Sequence, residues 1–481
     1  MVYQTGLTMT EIDLIYKPFI SEPKSMVIAP AGYGKTHCIV ESLNISEGHQ
    51  LILTHTNAGV ASIKEKIRKI GVNTPYTVET ICGFAQKFVE AFVLKNKIPE
   101  QDSSEYFPFV INTALGLFKK EAIKKVIETN FTGVYVDEYQ DCTKSQHQLI
   151  SLISNILPTH ILGDPLQGIF DFNNEELVDF DIDLKDYKCT AELGNPWRWN
   201  QSNPLLGEDL KKLREDIQKN GSVHLTDYKN IECYFCPEND LYDFQQQYNY
   251  KMRQIIGNES SLLIIHPVSH NINARTKLVK TFNNSFYLVE AMDAKDFYDL
   301  AKKIDASNSS NIYATILEIS LILFSKSKTT DWLGEQKLKN KRDFQAQLTI
   351  EPLKVFFEKL SVNFQLNLVS KALKLIKELP QNKCYRTELF FDLINAIESA
   401  HLNNQSVFES MKKIRDSKRH IGKKIKGKCI GTTLLTKGLE FDTVILLNAQ
   451  RFTCPKNFYV AVTRASKRLI IFSDTDEIRF N

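Results

Sequence analysis

The sequence predicts an α/β protein built on parallel sheets, and three observations carry that prediction. An apolar strand runs into a glycine-rich turn and then a helix at Ser25-Met-Val-Ile-Ala-Pro-Ala-Gly-Tyr-Gly-Lys-Thr36. Apolar strands alternate with amphipathic helices along the front of the chain, the pattern of parallel strands joined by crossover helices. Several of those strands end in polar clusters, and in open parallel sheets ligands gather at the carboxyl ends of strands.

The elements follow in order. Residues 1–24 carry a weak helical pattern (Ile12, Leu14, Ile15, Phe19) ending in Ser-Glu-Pro-Lys. Met26–Ile28 is the loop strand, and Cys38, Ile39, Val40 and Leu43 mark the helix behind it. Leu51–Leu53 is a strand ending in Thr54-His-Thr-Asn57, followed by a helix from Ala58 to Ile70. Thr77–Phe84 leads into another helix, and Phe107–Glu128 is helical with short breaks. Gly133–Val136 is a strand tipped by Asp137 and Glu138, expected to lie beside the loop strand, and His160–Asp164 repeats the design. Ser261–His266, Val444–Leu447 and Arg468–Phe472 are further buried strands. Between about Asn284 and Gln405 the pattern changes to long amphipathic helices, such as Tyr313–Phe324 and Ile350–Leu379, with Asp305–Asn311 as a loop between two of them.

Length and composition set the class. A chain of 481 residues has room for about three domains, each able to bury a core. Sixty Lys and Arg stand against 57 Asp and Glu, a net charge of +3, so any nucleic-acid track must be local. Such a track exists at Lys412, Lys413, Arg415, Lys418, Arg419, Lys423, Lys424, Lys426 and Lys428, broken only by Asp416. It reads equally as a phosphate-binding stretch or as a solvated linker returning to the sheet. Cys233 and Cys236 have metal spacing but no second pair nearby, so the nine cysteines read as free thiols. With no charged-then-apolar leader and no apolar run near the ~18 residues of a span, a reduced, cytoplasmic protein with no membrane partner is expected.

The glycine-rich turn carries chemistry. Gly32 and Gly34 let the backbone curl so that successive N–H groups converge, and the helix start adds its positive dipole end. Lys35 would reach the β- and γ-phosphates of a nucleotide, and the Thr36 hydroxyl would ligate Mg²⁺. Asp137 would share that metal, while Glu138 would orient and deprotonate the attacking water. The loop's backbone from Ala29 through Pro30, Ala31, Gly32, Tyr33 and Gly34 to Lys35 and Thr36 forms the phosphate cradle, with Ala29 where a first glycine is usual.

Taken together, the motifs resemble those of UvrD/Rep-type superfamily 1 helicases. Thr54-His-Thr-Asn57 resembles that family's T-F-T-N, and Thr80-Ile-Cys-Gly-Phe84 its T-F-H-S-F. Asp137-Glu-Tyr-Gln-Asp141 is close to D-E-F-Q-D, and Gly163-Asp-Pro-Leu-Gln-Gly-Ile-Phe170 resembles G-D-x-x-Q-S-I-Y. Asn195-Pro-Trp-Arg198 resembles N-Y-R-S with one insertion. Thr436-Lys-Gly-Leu-Glu-Phe-Asp442 matches the K-G-L-E-F-D core, and Val460-Ala-Val-Thr-Arg-Ala465 matches V-A-V-T-R-A. The departures are a missing N-terminal adenine-reading glutamine, with Glu11 near its place and Gln4 as the nearby alternative, together with Asn173 for an arginine and Leu434 for a histidine.

The resemblance implies two RecA-like parallel-sheet P-loop domains with a reduced first insertion and a helical second insertion. The first would span 1–189, with a small helical insertion at about 86–130; the second would comprise 190–283 and 411–481, with 284–410 as the inserted helical subdomain. It implies an ATP- and Mg²⁺-dependent motor that moves, in the family's 3′-to-5′ sense, on single-stranded DNA or a tailed duplex. Gln167 would sense the γ-phosphate, Arg198 and Arg464 would act as arginine fingers, Trp197 would stack on adenine and Glu440 would contact ribose or phosphates. DNA backbone phosphates would meet Thr54, Asn57 and Thr80, and bases would stack on His55, Phe170 and Phe172, the two phenylalanines having core packing as their alternative. Short UvrD-like chains also accompany nucleases in Gabija-like antiviral defence systems. That implies an alternative, a nucleotide- and DNA-switched component of a nuclease complex. An unrelated P-loop kinase has no use for the two distant arginines.

Overall fold

The computed structural model describes residues 12–99, 103, 105–169, 175–267, 286–289, 295–421 and 427–480. By internal contacts the chain divides into two compact units: Met1–Glu238 with Ile421–Lys424 and Lys437–Asn481, and Asn239–His420 with Ile425–Thr436.

The first unit is built on a six-stranded sheet. Its strands are β1 (Lys24–Ile28), β2 (Gln50–Thr54), β3 (Tyr76–Thr80), β4 (Gly133–Val136), β5 (Thr159–Gly163) and β6 (Lys188–Glu192), in the order β3-β2-β4-β5-β1-β6. Every pairing in it is parallel. β2, β4 and β5 are buried along their whole length, as strands covered on both faces must be. The expected adjacency of β4 and β1 is corrected: β5 lies between them, pairing Val27 with Leu162 on one side and Val136 with Ile161 on the other. The strand tip that carries Asp137 and Glu138 is thus separated from β1 by β5.

Crossover helices cover the sheet. α1 (Lys17–Ser21) precedes β1 and buries Phe19, so the weak N-terminal pattern yields five α-helical residues after a π-turn at Ile12–Tyr16. α2 (Lys35–Asn44) follows the loop, and α3 (Asn57–Ile70) follows β2, capped by the Thr56 hydroxyl and ended by Gly71 in the left-handed region. α4 (Ile81–Phe92), α5 (Tyr106–Phe118) and α6 (Glu121–Asn130) fill the space between β3 and β4. Phe84 and Phe88 of α4 meet Phe118 edge-on, at 6.0 and 4.9 Å. α7 (Lys144–Ser154) opens on a Thr143/Gln146 capping box.

The same unit holds α8 (Pro204–Asn220), which buries Leu206, Leu210, Leu213 and Ile217. It also holds three parallel strands, β7 (Glu232–Phe235), β11 (Phe441–Leu446) and β12 (Ala465–Ser473), with β12 paired to both others. α17 (Pro455–Val462) leads into β12.

In the second unit α9 (Gln247–Asn258) precedes β8 (Leu262–Ile265), and β10 (Lys428–Gly431) pairs in parallel with β8 and with β9 (Tyr287–Leu288). Among the described residues, seven helices make up its other part: α10 (Lys295–Asp305), α11 (Ile312–Leu323), α12 (Lys326–Trp332), α13 (Phe344–Val362), α14 (Leu366–Glu378), α15 (Thr387–Asn403) and α16 (Val407–Ile421). The stretch expected as one helix, Ile350–Leu379, is two. The chain becomes extended at Asn363 and Gln365, which lets Leu353 and Leu360 of α13 share a core with Val369, Leu373 and Ile376 of α14. Among the described residues no helix is long and apolar enough to cross a membrane. All nine cysteines are free, with Cys236 buried and Cys233 partly so.

Candidate active site

The site gathers at the carboxyl ends of β1, β4 and β5 in the first unit. β1 runs out at Ile28, and Ala29 donates its N–H to Gly163 O at 2.9 Å, holding the start of the loop against β5. Tyr33 N closes a turn onto Pro30 O at 3.1 Å. Gly32 has φ +78° and Gly34 φ +91°, conformations that disfavour a side chain. Space demands glycine too: a Cβ on Gly32 would lie 2.8 Å from Trp199 Cζ3 and 2.9 Å from Arg198 Cβ. A Cβ on Gly34 would lie 3.2 Å from Trp197 Cδ1, so Trp197, 50% exposed, rests beside the loop.

Lys35 is the first residue of α2 and is buried, its Nζ 2.8 Å from Glu138 Oε2. Burial works against the ammonium, but Glu138 and Asp137 outweigh it and raise the lysine's pKa. Glu138 stands in the left-handed region at φ +55°, an uncommon conformation for a side-chain-bearing residue and one that marks functional turns. Gln140 Nε2 also donates to Glu138 Oε2, at 2.5 Å. Burial alone would raise the Glu138 carboxyl; Lys35 and Lys437 overcome it and hold the group below the usual range. Asp137 accepts the Glu138 N–H at Oδ1 (2.9 Å), and burial with the adjacent Glu138 charge pushes it above the usual carboxylate range. A divalent cation relieves such strain, so the buried Asp137 and the partly exposed Thr36 hydroxyl suit Mg²⁺, which is held by one or two carboxylates with phosphate and water.

Both arginines belong to the same unit. The Arg198 N–H donates to Gly32 O of the loop at 3.0 Å. Its guanidinium donates to Thr463 O at 2.5 Å and pairs with Glu440. Arg464 is 3% exposed and donates to Val460 O at 2.9 Å and Leu439 O at 3.3 Å. Burial, then the like charge of Arg198, lowers Arg464 to about 10. Gln167 is buried and donates from Nε2 to Asp164 Oδ2 at 2.8 Å.

The residues expected to bind nucleic acid fare unevenly. Thr54 is 1% exposed, with its hydroxyl beside Gly59 at the start of α3. Thr80 caps α4 by accepting from Gly83 N at 2.9 Å, and Asn57 is the first residue of α3. His55 is half-buried, with Nε2 3.5 Å from Cys142 Sγ; burial, then the charge of Lys437, lowers it to about 3, so the imidazole is neutral. Phe170 and Phe172 lie outside the described residues, as do Gln4, Glu11 and Asn173 and part of the basic run.

Four residues to which the sequence alone assigned no role join the site. Lys437 Nζ bonds both Asp141 oxygens at 2.5 and 2.7 Å and Gln167 O at 2.6 Å. Asp164 takes a bond from Arg214 at 2.7 Å, and Gln140 bridges Glu138 and the Asp164 N–H. Lys437, Asp164 and Gln140 stand inside the helicase-like motifs. The signal for Arg214 was a charge set into the apolar stripe Leu206, Leu210, Leu213 and Ile217.

Strand order, loop and paired carboxylates define the first sheet as a P-loop α/β domain. The model of the UvrD/REP helicase N-terminal domain matches residues 94–188. An ATP-dependent helicase/nuclease polypeptide of Streptococcus uberis is 30% identical over 148 residues, 30% of this chain and 11% of that protein. Its counterpart in Streptococcus pyogenes is 27% identical over 153 residues, 31% of this chain and 12% of that protein. The chain thus matches about a tenth of the length of these curated relatives. A solved structure of arterivirus nonstructural protein 10, a helicase in complex with DNA, covers 97% of this chain and 64% of its own at 11% identity and a TM-score of 0.36. The sequence matches show that the front part of this chain is similar to the UvrD/REP helicase N-terminal domain.

Proposed function

We propose that the chain is an ATP-dependent translocase or helicase acting on single-stranded DNA or a tailed duplex. The observation that carries this reading is the meeting of Lys35, Glu138 and the P-loop with Arg198, whose backbone is bonded to Gly32. Lys35 would exchange Glu138 for the β- and γ-phosphates of ATP. Thr36 and Asp137 would hold Mg²⁺, which when bound neutralises phosphate charge. Glu138 would take a proton from the water that attacks the γ-phosphorus, and the bond to the β-phosphate oxygen breaks to give ADP and phosphate. Arg198 and Arg464 would face the charge that spreads over the transferring group, and Gln167 would report its presence. To do so Arg198 would leave Glu440, while Trp197 and Glu440 would hold the nucleoside. Within this reading 190–283 and 411–481 supply the second RecA-like domain, 284–410 its helical insertion, and the 3′-to-5′ sense rests on family resemblance.

A second reading is favoured by the names of the relatives, which join helicase to nuclease. Here the chain is an ATP- and DNA-switched component of a nuclease complex, as in antiviral defence, without processive unwinding. ATP turnover with and without single-stranded DNA, followed by strand displacement on a tailed duplex, separates the two. Displacement that Lys35→Ala abolishes supports the helicase; DNA-stimulated turnover without displacement supports the switch; no turnover in either condition overturns both.

A further inference from the structure

The candidate base and the candidate γ-phosphate sensor are held by one buried ion pair, Asp164–Arg214, whose arginine lies outside every helicase-like motif. Asp164 is wholly buried at the tip of β5, and Arg214 of α8 is 4% exposed, with Nη1 2.7 Å from Asp164 Oδ1. The other carboxylate oxygen, Oδ2, accepts from Gln167 Nε2 at 2.8 Å. The Asp164 N–H donates to Gln140 Oε1 at 3.0 Å, which fixes that amide so that its Nε2 points at Glu138 Oε2. Gln140 is itself 2% exposed. Arg214 is itself held, its guanidinium 5.4 Å from the centroid of the Tyr459 ring on α17.

We infer that Arg214 is a positioning residue: by fixing Asp164 it sets the orientation of Gln167 and, through Gln140, of Glu138. The inference rests on the ATPase reading above. A buried charge pair is weak evidence for stability, because well-packed apolar residues often serve as well, whereas removing one partner leaves a buried charge uncompensated. Without Arg214, the carboxylate that tethers Gln167 keeps the Leu166 N–H at Oδ1 (3.2 Å) and Gln167 at Oδ2 but has no counter-charge. Its rotation loosens Gln167 directly and shifts the backbone N–H that orients Gln140. The phosphate cradle takes no bond from this pair, so nucleotide affinity is expected to survive while the chemical step does not. Tyr33 of the loop, which burial pushes up to about 12 against the pull of Arg214, feels the same charge through its side chain, whereas the cradle is made of backbone N–H groups.

The test compares wild type with Arg214→Met and Arg214→Lys in the full chain, following ATP turnover with DNA and affinity for a fluorescent ATP analogue with Mg²⁺. Arg214→Met is expected to lower kcat by about a hundredfold with affinity within about threefold, the scale of a displaced catalytic group. Arg214→Lys restores one donor to Asp164 and is expected to recover kcat to within about tenfold of wild type. If Arg214→Met does not fold, Arg214→Lys carries the test by the same split, a lower kcat at unchanged affinity. Wild-type kcat in folded Arg214→Met (or in Arg214→Lys where the methionine variant does not fold), or parallel loss of kcat and affinity, overturns the inference alone. A wild type that binds the analogue but does not hydrolyse ATP, or does neither, overturns the functional reading and this inference with it.

Discussion

Lys35 Nζ and Glu138 Oε2 lie 2.8 Å apart, so the cation expected to grip phosphate is engaged by the carboxylate expected to activate water. Each holds the other in its charged form, and a nucleotide must break the pair to bind. Glu138→Gln weakens the competitor and removes the base. Its predicted signature is nucleotide affinity equal to or a few-fold tighter than wild type, with turnover reduced roughly 10²–10⁴-fold. Lys35→Ala should lose both affinity and turnover, the latter by at least about a hundredfold. Titration with a fluorescent nucleotide and a phosphate-release assay check the split. Equal loss of affinity in the two variants would contradict it.

The loop's fit is tested by two alanine substitutions with similar backbone angles. Gly32 (φ +78°) has Trp199 and Arg198 where its Cβ would go, whereas Gly71 (φ +81°) has nothing within 4 Å. Gly71→Ala should cost about 1 kcal/mol, the penalty of the left-handed conformation alone. Gly32→Ala adds a clash with Trp199, whose Nε1 donates to Ala465 O at 2.8 Å, and should cost clearly more and abolish nucleotide binding. Urea unfolding of both proteins measures the difference, and equal costs would show that Trp199 yields freely.

Stability should fall in acid in part through His160. This ring is 4% exposed, lies against Phe19 and Tyr135 and shares a 2.8 Å hydrogen bond with Ser25 Oγ. Burial lowers it from 6.5 to about 4. Above pH 6.5 it is neutral folded or unfolded and has no linkage effect. As pH falls from 6.5 to 4 the unfolded chain takes the proton first, so stability is lost across that window, by up to about 3 kcal/mol, with no further loss below it. Urea midpoints measured at steps from pH 7 to 4 should fall less steeply for His160→Gln. An unchanged slope would mean that the ring is protonated in the folded protein.

Lys35, Asp137 and Glu138, singled out from the sequence as a phosphate site, lie together at the carboxyl ends of β1 and β4. Strand neighbours were not legible from sequence, because a crossover helix records that two strands are parallel but not how many lie between them; β5 between β4 and β1 is the instance. Thr54, expected from the resemblance to hold a phosphate, ends a strand buried along its whole length, which its sequence position did not reveal. The break between α13 and α14 carries neither glycine nor proline and is imposed by the shared core. Arg214 could be suspected only as a charge in an apolar stripe, since its partner is 50 residues away.

The most direct measurement concerns Arg198. Its backbone is tied to the loop, and its guanidinium rests on Glu440 and Thr463 O, within the same unit as Lys35. Phosphate release with saturating single-stranded DNA should be at least about a thousandfold slower in Arg198→Ala, the scale of a lost arginine finger, while the variant still binds nucleotide. Wild-type turnover in a folded Arg198→Ala protein would contradict a triphosphate held between lysine and arginine.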